Sequence, residues 1–202
     1  MSKPLRITAI LGTPVAGVVT RPFMLDGPLS WVWWAESENF QPALDPNTAP
    51  GDADLPLEKW EKHGTWGWCT SEAVYEVTRR TQMEIRRPPA DREFARFTKD
   101  KKHHHGMGPM KARDTVIPLS VIPKMVWEVL ATDPDEVMRL CEQVTHLGGH
   151  RARDCGRVES WEFDTPATAT GWERRPFPKP GSTGVYRAPY SHPLRRVEVP
   201  EC

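Results

Sequence analysis

One segment, Asp133 to Phe163, limits the folds open to this chain more than any other: a capped amphipathic helix, a glycine- and arginine-rich loop and an apolar strand follow one another directly. Asp133 is placed to cap the helix, Pro134 sits at its first position, and Asp135 and Glu136 suit the positive end of the helix dipole. Val137, Leu140, Cys141 and Val144 repeat at i, i+3, i+4, i+7, which gives one apolar face. The spacing predicts that this helix runs to Gly148-Gly149 and that Val158, Trp161 and Phe163 mark the strand beyond the loop.

The rest of the chain supplies the partners that this unit needs. Leu5, Ile7, Ala9 and Leu11 alternate on one face of a first strand. After the turn-rich stretch Gly12 to Pro22, Asp26 reads as an N-cap, with Pro28 in the first turn and Leu29, Val32 and Trp33 at helical spacing. Residues from about Gln41 to Pro56 are rich in Pro, Ala and Asp and read as a loop, followed by Trp60, Trp66 and Trp68 around Gly64 and Gly67. From Glu72 to Arg87 the alternation of Ala73, Tyr75 and Val77, then Met83 and Ile85, predicts a strand or hairpin. Asp91 to Lys111 has little to bury and reads as a projecting arm. Thr115 to Ile122 is strand-like, with Pro118 restricting it to an edge or a bulge. The tail from Pro166 onward is rich in Pro, Arg and aromatics without periodicity, and is expected to wrap over the surface or dock on a neighbour. The order is β-α-β-(arm)-β-α-(Gly loop)-β. It predicts an α+β, ferredoxin-like or RNA-recognition-motif-like domain over 1–164, a basic insertion at about 79–113 and an irregular tail over 165–202.

The loop Gly148-Gly149-His150-Arg151-Ala152-Arg153-Asp154-Cys155-Gly156-Arg157 carries the clearest chemistry. Glycines let main chain approach a ligand without Cβ interference, and Arg151, Arg153 and Arg157 are planar, permanently charged forks suited to phosphate oxygens. In a nucleotide-binding P-loop the glycines precede the helix; here they follow it, which argues against ATP or GTP. The plainer reading is a helix C-cap beside solvated arginines. Charge is polarised although Lys+Arg and Asp+Glu are both 27. Seven acids between Glu36 and Glu61 face only Lys59, and eleven Lys/Arg between Arg79 and Arg113 face four acids, so one region suits a polyanion and another a protein partner or solvent. Cys69, Cys141, Cys155 and Cys202 show no C-x-x-C spacing, which fits reduced thiols in a cytoplasm; no charged-then-apolar leader opens the chain and no run approaches a membrane span, so a soluble cytoplasmic protein is expected.

The opening strand, the stretch Leu25-Asp26-Gly27-Pro28-Leu29-Ser30-Trp31, the Gly148 to Trp161 segment and the closing Tyr186-Arg187-Ala188-Pro189-Tyr190-Ser191-His192-Pro193, taken in that order, resemble the RAMP-superfamily (Cas five-type) subunit that caps the crRNA 5′ handle in type IV CRISPR effector complexes. The resemblance implies a ferredoxin-like core, a thumb-like β-hairpin inserted between core elements, RNA binding without catalysis or cofactor, and a Cas seven-type backbone subunit of the crRNA filament packed alongside. A large subunit of the same complex and target DNA are further expected contacts. Carried onto this chain, it implies handle phosphates at Gly148, Gly149, His150, Arg151, Arg153, Gly156 and Arg157. The thumb falls on the basic arm, with Arg86, Arg87, Lys99, Lys101, Lys102, His103, His104, His105 and Lys111 along the RNA backbone, and Tyr186 and Arg187 complete the set. Asp154 departs from this pattern as an acid among three arginines.

Single-stranded RNA is held by phosphate contacts and by aromatic or guanidinium stacking on splayed bases, for which Tyr75, Phe94, Phe97, Tyr186 and Tyr190 are candidates. Trp31, Trp33, Trp34, Trp127 and Trp161 read first as core or protein interface. Two other classes compete. A crRNA-processing endoribonuclease would draw its acid and base from His63, His103 to His105, His146 and His150, although adjacent histidines on one strand cannot all face one metal. A protein-only interaction module would use the Trp-rich region and bind no RNA in a salt-sensitive way.

Overall fold

The computed structural model describes residues 2–18, 22–37, 45–87, 113–166 and 168–201. Its centre is β1 (Lys3–Leu11), whose residues Leu5, Ile7, Ala9 and Leu11 are buried as their alternation requires. β1 pairs antiparallel with β8 (Lys124–Ala131), Ile7 opposite Trp127, and with β9 (Val158–Asp164), Ile7 opposite Phe163. The two-residue β5 (Val74–Tyr75) adds to β8, giving the sheet order β5-β8-β1-β9. Helices α1 (Asp26–Glu36) and α2 (Pro134–Gln143) bury Leu29, Val32 and Trp34, and Val137, Leu140 and Cys141, in one cluster with the alternate residues of β1 and β8. Trp127 is fully buried within it, and its indole N–H donates to the carbonyl of Phe23 at 3.0 Å.

A second sheet stands beside the first, in the order β2-β7-β6, from β2 (Val15–Ala16), β7 (Arg113–Val121) and β6 (Arg79–Arg87). β6 and β7 pair over their full length, from Arg79 opposite Val121 to Arg87 opposite Arg113. Pro118 is accommodated because β2 pairs with β7 only at Leu119 and Ser120, so the proline sits just past that short contact. A separate hairpin joins β3 (Lys59–Lys62) to β4 (Thr65–Trp68) through His63 and Gly64, both at positive φ.

The helix termini qualify the sequence reading. Asp133 caps α2 as expected, its side chain accepting from the Glu136 N–H at 3.2 Å. Asp26 does not cap α1. Leu25 takes that position, and Asp26 lies fully buried in the first turn, where the Tyr190 hydroxyl is 2.8 Å from both carboxylate oxygens. α2 stops at Gln143 rather than at the glycines. Main chain after it is recruited into extended pairing instead: Val158 N–H donates to the Thr145 carbonyl and Leu147 N–H to that of Gly156, at 2.9 and 2.8 Å. This seats Val144 and Leu147 in the core.

The tail is folded onto the body. It contains the short pair β10 (Thr183–Gly184) and β11 (Val197–Glu198), and the peptide between Ala188 and Pro189 is cis. The buried guanidinium of Arg175 donates to the carbonyls of Trp68, Thr70 and Tyr186. Further along, Arg195 donates to the Gly51 carbonyl and pairs with Asp52 at 2.6 Å, while the His192 Nε2–H donates to the Asp45 carbonyl at 2.8 Å. Asp45, Gly51 and Asp52 of the acidic stretch therefore seat the chain's own tail.

Burial raises the Asp26 carboxyl above its ordinary value, against the opposing pull of Arg175 and the Tyr190 hydrogen bond. The folded state then keeps a proton that the unfolded chain has released, so stability falls as pH rises from the unfolded value near 4 through the raised one. Asp26→Asn removes that dependence. Its melting temperature relative to the parent should climb as pH rises above about 4. Equal pH profiles for the two proteins would sink the assignment.

Candidate nucleic-acid interface

The arginine loop is the tip of the extended pair formed by residues 145–147 and 156–158. Gly148 and Gly156 lie at φ +86° and +71°. A Cβ on Gly156 would stand 1.9 Å from the Leu147 carbonyl oxygen, and one on Gly148 would stand 2.6 Å from that of Ala16. The close approach that these glycines allow is to the protein's own main chain, which corrects the expectation that they open the backbone to a ligand. Three amides of the loop are used in the same way. Gly149 N–H donates to Ala16, Gly156 N–H to Pro14 and Arg157 N–H to the Thr13 hydroxyl, all within 2.9 Å. Such a loop offers its side chains on a fixed frame.

Those side chains are largely cationic. His150, Arg151, Arg153 and Arg157 are exposed, with Arg151 and Arg153 on one 3-10 turn. The Arg151 guanidinium lies 5.1 Å from the centre of the Trp31 ring on α1, a cation–π contact. Asp154 is shared between His146 Nε2 at 3.1 Å and Arg157 Nε at 3.8 Å, while His146 Nδ1 contacts the Thr145 hydroxyl at 3.0 Å. The acid within the loop thus orders its neighbours.

Between α1 and this loop lies a cleft of about 420 Å³. Phe23, Gly27 and Trp31 line one side, Thr145, His146 and Arg151 the other, and Tyr190 from the tail also borders it. Sequence reasoning assigned Trp31 to core or interface and did not find the cleft. The signal was present in Leu25-Asp26-Gly27-Pro28-Leu29-Ser30-Trp31, because Gly27 and Trp31 are four apart and share a helix face.

The basic hairpin and the loop, far apart in sequence, meet at one buried patch. Met83 and Ile85 of β6 and Ile117 and Leu119 of β7 pack on Ala16 of β2 and Cys155 of the loop. On the opposite face of the hairpin, Arg86 lies across from Asp114 and pairs with Glu84 at 3.3 Å, so the stem balances part of its own charge. Arg87 lies in β6. Lys99, Lys101, Lys102, His103, His104, His105 and Lys111, and the aromatics Phe94 and Phe97, fall outside the described residues.

Two candidates are placed elsewhere. Tyr186 is buried with Trp60, Cys69 and Val199, its ring edge-on to Trp60 at 6.2 Å, so its faces are not offered to a base; this corrects its inclusion. Arg187 stacks over Trp66 at 4.2 Å and reaches Asp52 at 3.6 Å, which ties it to β4 and the acidic stretch rather than to the loop. Tyr75 is half-buried, its hydroxyl donating to the Val18 carbonyl at 3.1 Å. His63 sits in the turn between β3 and β4. Among the described residues, no three His, Cys, Asp or Glu side chains are grouped to hold a metal ion, and no helix is long and apolar enough to cross a membrane.

Gly156→Ala tests the frame itself. A left-handed alanine pressed on the Leu147 carbonyl should cost about 2 kcal/mol or more, seen as a fall in melting temperature of about 4–8 °C. A fully tolerated alanine would show that the loop rests on something else. No protein-family model matches this chain, and no curated protein sequence matches it significantly.

Proposed function

We propose that this chain is a non-catalytic RNA-binding subunit that grips one ribose-phosphate strand with Arg151, Arg153 and Arg157. The observation that carries the reading is the placement of these exposed arginines on a loop anchored by main-chain hydrogen bonds, packed against the β6/β7 hairpin and beside a cleft with aromatic walls. Guanidinium forks suit phosphate oxygens, and a preordered frame lowers the entropy lost on binding. Helices packed on one antiparallel sheet, in the chain order β1-α1-β5-β8-α2-β9 and the sheet order β5-β8-β1-β9, support a ferredoxin-like core. The hairpin between β5 and β8 supports the inserted thumb. Together with the sequence resemblance, these features favour a cytoplasmic subunit that caps the crRNA 5′ handle of a type IV CRISPR ribonucleoprotein, beside a backbone subunit and a large subunit.

One observation favours cleavage as a second reading: His146 is hydrogen-bonded to Asp154 at the edge of the cleft. Purified protein alone would then leave shortened RNA with new ends, whereas a holding subunit returns the strand intact.

Replacing Arg151, Arg153 and Arg157 together by Ala should leave the circular dichroism spectrum and melting temperature near those of the parent, because these side chains are exposed. RNA affinity should drop sharply. The slope of log affinity against log salt should become shallower by about 2, from three phosphate contacts at about 0.7 each on a single strand. An unchanged slope in a filter-binding titration would reject the arginine loop as the phosphate site.

A further inference from the structure

We infer that the cleft between α1 and the arginine loop holds one unstacked base of the bound strand, taken by stacking and without discrimination between bases. This deepens the RNA-binding reading above and rests on it.

Size and wall chemistry come first. A cleft of about 420 Å³ lies within the range of small-ligand sites, and the rings of Phe23, Trp31 and His146 give it aromatic walls. Charge then selects among apolar occupants. Arg151 both borders the cleft and lies over Trp31, so a base entering against that ring keeps its own phosphate within reach of a guanidinium. An apolar occupant that carries no anionic group would gain nothing from that cation.

The lack of discrimination follows from the hydrogen bonds already made. Both ring nitrogens of His146 are engaged, by Thr145 and Asp154. The Tyr190 hydroxyl, which also borders the cleft, is given to Asp26. The polar atoms of His146 and Tyr190 are therefore committed within the protein, while a ring face accepts any base.

Gly27→Leu is the test. Gly27 lines the cleft at the start of α1, where an added Cβ meets only the Tyr190 ring at 3.7 Å, an ordinary contact, and a larger residue suits a helix better than glycine. The leucine fills the cleft and leaves the arginines in place. Fluorescein-labelled oligouridylate and oligoadenylate of about 12 nucleotides are the probes. The parent should bind both alike, within about three-fold. Gly27→Leu should weaken both by about ten-fold, the scale of one lost stacking contact, with the salt slope unchanged. Ultraviolet crosslinking of 4-thiouridine oligomers should mark the peptide that contains Phe23 and Trp31. Parental affinity in Gly27→Leu, crosslinks confined to other peptides, or a strong preference for one base would overturn the inference while the arginine loop stands. An unchanged salt slope in the triple arginine variant would instead remove the reading beneath it.

Discussion

The contact of Gly156 with the Leu147 carbonyl is the constraint on which the candidate site depends. A side chain at that position would push residues 156–158 away from 145–147, and the pairing that ends α2 at Gln143 would be lost with it. Through Pro14 and Ala16 the same main chain is joined to β2, and through Cys155 to the hairpin of β6 and β7. Main-chain hydrogen bonds and apolar packing thus meet at one junction. Arginines raised on it lose side-chain freedom on binding, but the backbone beneath them has already paid its entropy at folding.

Electrostatics acts locally in this molecule, since opposite charges balance over the whole chain. Asp52 pairs with Arg195 and Arg187, and the carbonyls of Asp45 and Gly51 accept from His192 and Arg195. Part of the charge that reads in sequence as a surface for a partner is thereby absorbed inside the fold. The Arg151, Arg153 and Arg157 set differs because one acid, Asp154, faces three arginines and is itself divided between His146 and Arg157. A cationic excess remains there, and a polyanion is the natural complement.

Legibility in the sequence followed the range of the forces. β1 and α2 could be read because alternation, helical spacing and the Asp133 cap are local signals, each decided within a few residues. Asp26 was misread as a cap because its true partner, Tyr190, lies 164 residues away. The end of α2 was missed for a related reason: cross-strand bonds from residues 156–158 outweigh helical propensity at Val144 to Leu147, and nothing in that stretch announces them. The glycines read as points of close approach to a ligand, whereas Gly148 and Gly156 meet the protein's own main chain, and a sequence does not say what approaches. Tyr186 shows the same limit, since a tyrosine in a Pro/Arg-rich tail looks available until Trp60 and Val199 are placed around it.

The tail reaches into the cleft as well as covering the body. Tyr190 borders the cleft and its hydroxyl fixes Asp26 in the first turn of α1, one residue from Gly27 and five from Trp31. Desolvating that carboxylate is costly, and the hydroxyl and Arg175, both contributed by the tail, offset part of the cost. The wall formed by α1 is therefore set by residues beyond position 170, and the wall opposite by the junction at Gly156. A cleft assembled from such distant parts keeps its shape only while the tail stays docked, so tail docking and the geometry presented to a strand are a single equilibrium.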